Sequence, residues 1–138
     1  MHRIFDDGRI PQDNPFVGQL EAYPSIWSYG NRNPQGLDMD PATGLLWETE
    51  HGPRGGDEIN LVKAGLNYGW PVVSYGVNYN DSPVGSGAHA HEANGFVEPR
   101  YYWDPVIAPS DMIFYDGEMF AEAVQRKKLA TLIGVRTW

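Results

Sequence analysis

No cysteine occurs among the 138 residues, so the chain has neither a disulfide framework nor a thiolate metal site. That absence leaves the cellular compartment open. Positive charge is also scarce, with 10 Lys and Arg against 18 Asp and Glu and a net charge of -8. Binding to a phosphate backbone needs a basic footprint, so no nucleic-acid partner is expected. The acidic excess suits a solvated surface and sites for a hard divalent cation equally well. No apolar run approaches the roughly 18 residues that cross a bilayer, so no membrane span is expected. The opening Met1-His2-Arg3-Ile4-Phe5-Asp6-Asp7-Gly8 lacks the apolar stretch of a signal peptide. An exported parent would carry that signal upstream. A Gly-x-Ser-x-Gly elbow, a dinucleotide loop, a Walker loop and EF-hand spacing are all missing, which removes the commonest motif-based assignments.

What the chain does have is turn formers and aromatics: Gly 16, Pro 11, Trp 5, Tyr 8 and Phe 5. That balance predicts short strands joined by many turns rather than a helical bundle. With 41% hydrophobic residues, the chain can bury one modest core. Asp7-Gly8, Ile10-Pro11 and Asn14-Pro15 make residues 1–24 a strand end followed by a surface loop. Ser25 to Tyr29 is a short β-prone run. Gly36 to Asp40 and Leu46 to Glu50 flank Pro41-Ala42-Thr43-Gly44 and predict a β-hairpin. Further strands are expected at Glu58 to Val62, Trp70 to Tyr75, Tyr101 to Trp103 and Met112 to Tyr115. Residues 76–98 form a long polar, Gly-rich loop holding His89 and His91. Glu118 to Lys128 is expected to make one or two helical turns, and Leu129 to Val135 a strand. The fold class is all-β and antiparallel, and regularly spaced short strands fit successive propeller blades.

Two segments carry chemistry. Gly30-Asn31-Arg32-Asn33-Pro34-Gln35-Gly36 lies between strands, where a loop presents side chains to a ligand. Arg32 offers a planar fork suited to a carboxylate, and Asn33 both donates and accepts. Taken alone, the same stretch is an ordinary tight turn with an exposed Arg. In Glu50 to Asn60, Gly and Pro allow carbonyl oxygens to turn inward onto a hard cation. Asp57 and Glu58 could serve a second cation or cap neighbouring backbone, and Gly-Gly-Asp-Glu alone is a common surface turn. His51, His89 and His91 make a poor zinc set, because no third ligand is fixed beside the His89-x-His91 pair. The Tyr101-Tyr102-Trp103 and Tyr68-Gly69-Trp70 clusters read as packing aromatics.

In order along the chain, these segments resemble the glucose/sorbosone dehydrogenase family, the soluble aldose sugar dehydrogenases that use pyrroloquinoline quinone. The matching stretches are Ser28 to Gly36, Glu50 to Asn60, Asn67 to Pro71 and Tyr102 to Ser110. The resemblance implies a six-bladed β-propeller, of which residues 1–138 would supply about two to three blades of one partial domain. It implies that Arg32 and Asn33 contact the quinone, and that the main-chain carbonyls of Gly52 and Pro53 bind a catalytic calcium. Glu58 and the carbonyl of Tyr68 match positions that hold a second calcium in some members. An aldose sugar as substrate, an external electron acceptor and a periplasmic or secreted parent follow by the same resemblance.

The departures shape the expectation. Asn31 stands where the family usually has His, so hydrogen bonding beneath the loop should differ. Asp111 stands where Gly commonly follows Pro-Ser, which would strain a turn of positive φ. Residues 119–138 diverge from the family pattern, and Arg136 is a poor stand-in for a basic cofactor contact. No residue matches the context of the family's catalytic histidine, so no catalytic residue is assigned in this chain. The chain is therefore read as an internal or truncated piece, inactive alone, whose open strand edges invite self-association. The alternative is a non-catalytic, calcium-binding propeller module that kept the scaffold and lost the chemistry.

Overall fold

A computed structural model describes residues 1–87 and 89–115, together with the backbone of residues 129–133. Strands β1 (Pro34–Met39), β2 (Leu46–Glu50), β3 (Asp57–Val62) and β4 (Tyr101–Trp103) form one antiparallel sheet in chain order. Strands β5 (Pro109–Phe114) and β6 (Leu129–Ile133) pair antiparallel in a second sheet that β1 packs against. A four-stranded antiparallel meander beside the opening strands of another is how a propeller is built. The expected all-β, partial-propeller class is what the chain adopts.

The hairpin forms as its turn residues require. Asp40 Oδ1 accepts from Ala42 N–H, Thr43 Oγ1 donates to Asp40 Oδ2, and Gly44 N–H closes on Asp40 O at 2.8 Å. Gly44 takes φ +69° there, a conformation costly to any residue with a Cβ. The two faces of the sheet then divide in an unexpected way. Gly36 and Asp38 turn toward β5, where Asp38 Oδ2 accepts from Phe114 N–H at 2.8 Å. Leu37 and Met39 turn the other way and stay exposed. They line a groove with Trp27, Leu45, Leu46 and Val62.

Every residue of β3 is buried. Ile59 and Leu61 share a face with Thr49 and Trp47, their cross-strand partners, and Trp47 meets Phe114 edge-on at 6.2 Å. That apolar face fastens the two sheets together.

Three local expectations are corrected. Trp70 to Tyr75 is not a strand: Val72 and Val73 N–H both return to Gly69 O, making a turn. Pro71 has no N–H to give a ladder, and the turn instead plugs Val73 into the core at 1% exposure. Ser25 to Tyr29 makes only isolated bridges, His2 to Ile26 and Tyr29 to Asn67. Asp111 lies in extended β5 beside a register shift, so the expected strain falls elsewhere; Ala108, at φ +52°, carries it. The helical turns expected over Glu118 to Lys128, and Arg136, lie outside the described residues.

Candidate functional site

The opposite face of β2 and β3 holds a row of acids. Strand register sets Glu48 across from Asn60 and Glu50 directly across from Glu58. All four are buried, Glu48 and Asn60 at 0% exposure. Asn60 Nδ2 faces three carboxylate oxygens, Glu48 Oε1 at 3.0 Å, Glu50 Oε1 at 3.3 Å and Glu58 Oε2 at 3.2 Å. An amide has two N–H groups, so three acceptors exceed what it can satisfy. Asn31 Nδ2 adds one bond to Glu48 Oε1 at 3.0 Å. Glu48 Oε2 and Asn60 Oδ1 are buried without any partner.

Burial raises the proton affinity of all three acids, as low polarity disfavours a carboxylate. Burial first and the Glu50 charge second hold Glu48 well above the ordinary range. Burial carries Glu50 up to about 7, although the Arg32 and Asn33 N–H groups and the Arg32 charge pull the other way. Burial and the opposed Glu50 take Glu58 to about 8. His91 Nε2 stands 3.7 Å from Glu58 Oε1, and its own burial pushes the imidazole toward neutrality.

This row opens into a small cavity lined by Glu50, Glu58, Tyr68, His91, Arg32 and Gly52, among others. About 10 Å³ of it admits the centre of a water-sized sphere, room for one water or one ion. The segment bearing Tyr68 is laced onto the Arg32 loop: Tyr68 N–H donates to Tyr29 O and Trp70 N–H to Gly30 O, each at 2.8 Å. Gly30 permits that approach, since a Cβ there would lie 2.1 Å from Asn67 Oδ1. The Tyr68 hydroxyl donates to Leu61 O at 2.7 Å and so ties the segment to β3.

Beside the cavity lies an open pocket of about 330 Å³, within the usual size of a small-molecule site. Its lining includes Arg32, Asn33, Gly52, Pro53, Asp57 and Tyr79. Arg32 and Gly52 border both spaces. Arg32 Nη1 donates to His51 O at 2.9 Å, its guanidinium lies over the Trp70 ring at 5.1 Å, and its Nε has no partner. The Asn33 side chain is steadied by Gln35 Nε2, 2.9 Å from Asn33 Oδ1.

The Gly52–Pro53 corner is shaped by two constraints. A Cβ on Gly52 would meet Gly55 O at 2.2 Å and Gly56 O at 2.3 Å, so only glycine fits. Asp57, 1% exposed, accepts Gly52 N–H on Oδ1 and the N–H groups of Ile107 and Ala108 on Oδ2.

Of the six residues expected at the site, Arg32, Asn33, Gly52 and Pro53 share the open pocket, and Glu58 and Tyr68 share the cavity next to it. Residue chemistry had not singled out Glu48, Glu50 or Asn60. Their one signal was the x-Glu-x-Glu and Glu-x-Asn period of two on paired strands. The histidines are apart in role: His51 Nε2 donates to Pro109 O, and His89 and His91 each give Nδ1–H to a backbone carbonyl.

The residues fit a hard cation in the cavity. Among the described residues no three His, Cys, Asp or Glu side chains converge as a cage. A cation there would therefore take carboxylate oxygen, main-chain carbonyl and water, the donor set of calcium. The excess of buried acceptors over donors supplies the reason for one. The open pocket, with Arg32 beside the Gly52–Pro53 corner in its lining, fits an anionic ligand.

Among the described residues no helix is long and apolar enough to cross a membrane. The sequence profile for Glucose / Sorbosone dehydrogenase matches residues 1–134. Aldose sugar dehydrogenase YliI of Escherichia coli K12 is 44% identical over 130 residues, 94% of this chain and 35% of that protein. A crystal structure of glucose dehydrogenase superposes with a TM-score of 0.80 at 48% identity, covering 86% of this chain and 34% of that one. The PQQ-bound form of aldose sugar dehydrogenase from Streptomyces coelicolor gives 0.56 at 32% identity, covering 80% and 28%. The chain thus spans about a third of the length of the relatives it matches.

Proposed function

We propose, because the chain belongs to the glucose/sorbosone dehydrogenase family, that it forms part of the cofactor site of a quinoprotein oxidising aldose sugars to lactones. The observation that carries this is the shared pocket of Arg32, Asn33, Gly52 and Pro53, bordered by the Glu58–Tyr68 cavity. Residues 1–138 are read as one partial propeller domain within that enzyme.

When bound, pyrroloquinoline quinone with calcium as a Lewis acid would supply the hydride acceptor. The residues of the chain bind and orient. Arg32 places a permanent positive charge at the pocket rim for the quinone's carboxylates, already pre-set by Trp70 beneath it and His51 O beside it. Asn33 offers a neutral donor and acceptor. Among the described residues no backbone N–H in the turns and loops donates to the carbonyls of Gly52, Pro53 or Tyr68, which suits these oxygens to a cation. Glu58 supplies the anionic ligand beside Tyr68.

No residue here is assigned as the base that takes the sugar's anomeric proton, so dye reduction with glucose by this chain alone is expected to stay at background. An external electron acceptor, a periplasmic or secreted parent and self-association through open sheet edges belong to the same reading.

Calorimetric titration tests it. Quinone binding should require calcium, and Arg32→Ala should weaken it about tenfold or more, the worth of a charge-assisted contact. Unchanged affinity in that variant sinks the assigned role. If calcium binds and the quinone does not, a calcium-binding module without redox chemistry becomes the better description.

A further inference from the structure

The Glu50 side chain lines the cavity and holds the backbone of Arg32 and Asn33, two residues that border the open pocket. Its Oε2 accepts the backbone N–H of Arg32 at 2.5 Å and of Asn33 at 3.1 Å. Its Oε1 faces Asn60 at 3.3 Å, and across the ladder stands Glu58. Asn33 O in turn accepts His51 N–H at 3.0 Å, and Arg32 Nη1 reaches back to His51 O. One carboxylate thus anchors the loop bearing both expected quinone contacts, while its other oxygen belongs to the acid row lining the cavity.

We propose that Glu50 is a positioning residue that couples the cation cavity to the Arg32–Asn33 loop, so that a cation at Glu58 and Tyr68 tightens the loop's grip on an anionic ligand. The inference rests on the cation reading above and extends it. Without a cation, the two carboxyl groups, directly opposed on neighbouring strands, repel once both are ionised in a setting of low polarity. The Glu50 head group can escape only by loosening its hold on the two N–H groups. A positive charge in the cavity turns that repulsion into shared attraction, and Glu50 is then held from both ends, its charge-assisted bonds to Arg32 and Asn33 at full strength. Linkage makes the effect mutual: a ligand that fixes Arg32 raises cation affinity by the same factor. The expected factor is about tenfold, within the usual range for coupled sites.

Amide spectra of the isotopically labelled full chain during calcium titration test this without any quinone. In the wild-type chain the Arg32 and Asn33 amide protons should move as the cavity fills. In Glu58→Gln that movement should be lost, while calcium-dependent shifts around Gly52 persist. In Glu50→Gln calcium should still bind, but the two loop amides should no longer follow it. Loop amides that ignore calcium in the wild-type chain, or that respond equally in Glu50→Gln, overturn the coupling. The wild-type and Glu58→Gln titrations decide the matter even should Glu50→Gln fail to fold. Loop amides that follow calcium in a chain that never binds quinone would sink the quinone reading and leave the coupling standing.

Discussion

Stripped of divalent cations with a chelator, the chain is expected to lose at least about 2 kcal/mol of stability between pH 5 and pH 8, roughly a 10 °C fall in melting temperature. The sign follows from the direction of the shifts. Glu50 and Glu58 are raised from an ordinary value of 4.5 to about 7 and about 8, and Glu48 is raised as well. Between those limits the folded chain holds protons that the unfolded chain has released, so stability falls as pH rises. It is complete below about 4.5 and is lost through 7 to 8.

The groups facing the row do little to offset this. The Arg32 charge favours ionised Glu50, but burial still dominates there. His91 resists charging because it is itself buried, and Glu98 adds a further negative charge beside Glu58. The amino group of Met1 is likewise pushed by burial toward its neutral form. Calcium binds the ionised acids, so a saturating concentration should flatten the slope and restore most of the loss at pH 8. Circular-dichroism melts at both pH values, with chelator and with excess calcium, measure the effect. A melting temperature that climbs with pH in chelator would show that the acids are not buried together. Failure of calcium to stabilise at pH 8 would show that the cavity is not a cation site.

How much of this was legible beforehand depends on distance along the chain. The β1–β2 hairpin was readable because Pro41 to Gly44 is local turn chemistry, and the same holds for the strand at Glu58 to Val62. Its inner and outer faces were not. An alternation of Leu37, Asp38 and Met39 suggests apolar-in and acidic-out, yet Leu37 and Met39 are exposed while Glu48, Glu50 and Glu58 are sealed inside. A binary pattern assigns burial by polarity, and it fails where buried polarity is functional. The acid row exists only once the register sets Glu50 across from Glu58. Trp70 to Tyr75 failed for a related reason: its apolar residues are buried by a turn rather than by a ladder. The Gly52–Pro53 corner was suggested by its glycines, but its pairing with Arg32 in one pocket depends on contacts across strands that sequence spacing does not display.

Asp57 is the extreme case of such contacts, and it carries the largest single-residue effect expected here. Its carboxylate satisfies three backbone N–H groups, at 2.9 Å from Gly52, 2.8 Å from Ile107 and 2.7 Å from Ala108. Two of those donors lie 50 and 51 residues away in sequence. Asp57→Ala would leave the three donors without an acceptor in a site that is 1% exposed, a loss of about 3 kcal/mol or more. Ala108 adds to the cost, because its φ of +52° is a conformation that an L-residue leaves when nothing holds it. Asp57→Asn is the sharper variant. An amide presents one oxygen and one NH₂ in place of two oxygens, so whichever way it turns, its NH₂ faces backbone N–H groups that need an oxygen. It should therefore cost about 2 kcal/mol, despite matching Asp in size. Urea unfolding gives the stability change, and faster hydrogen exchange at Gly52, Ile107 and Ala108 locates it. If Asn is tolerated within about 0.5 kcal/mol, the span of ordinary surface substitutions, the clamp does not hold the Gly52–Pro53 corner. Those carbonyls must then be aimed by the glycines alone.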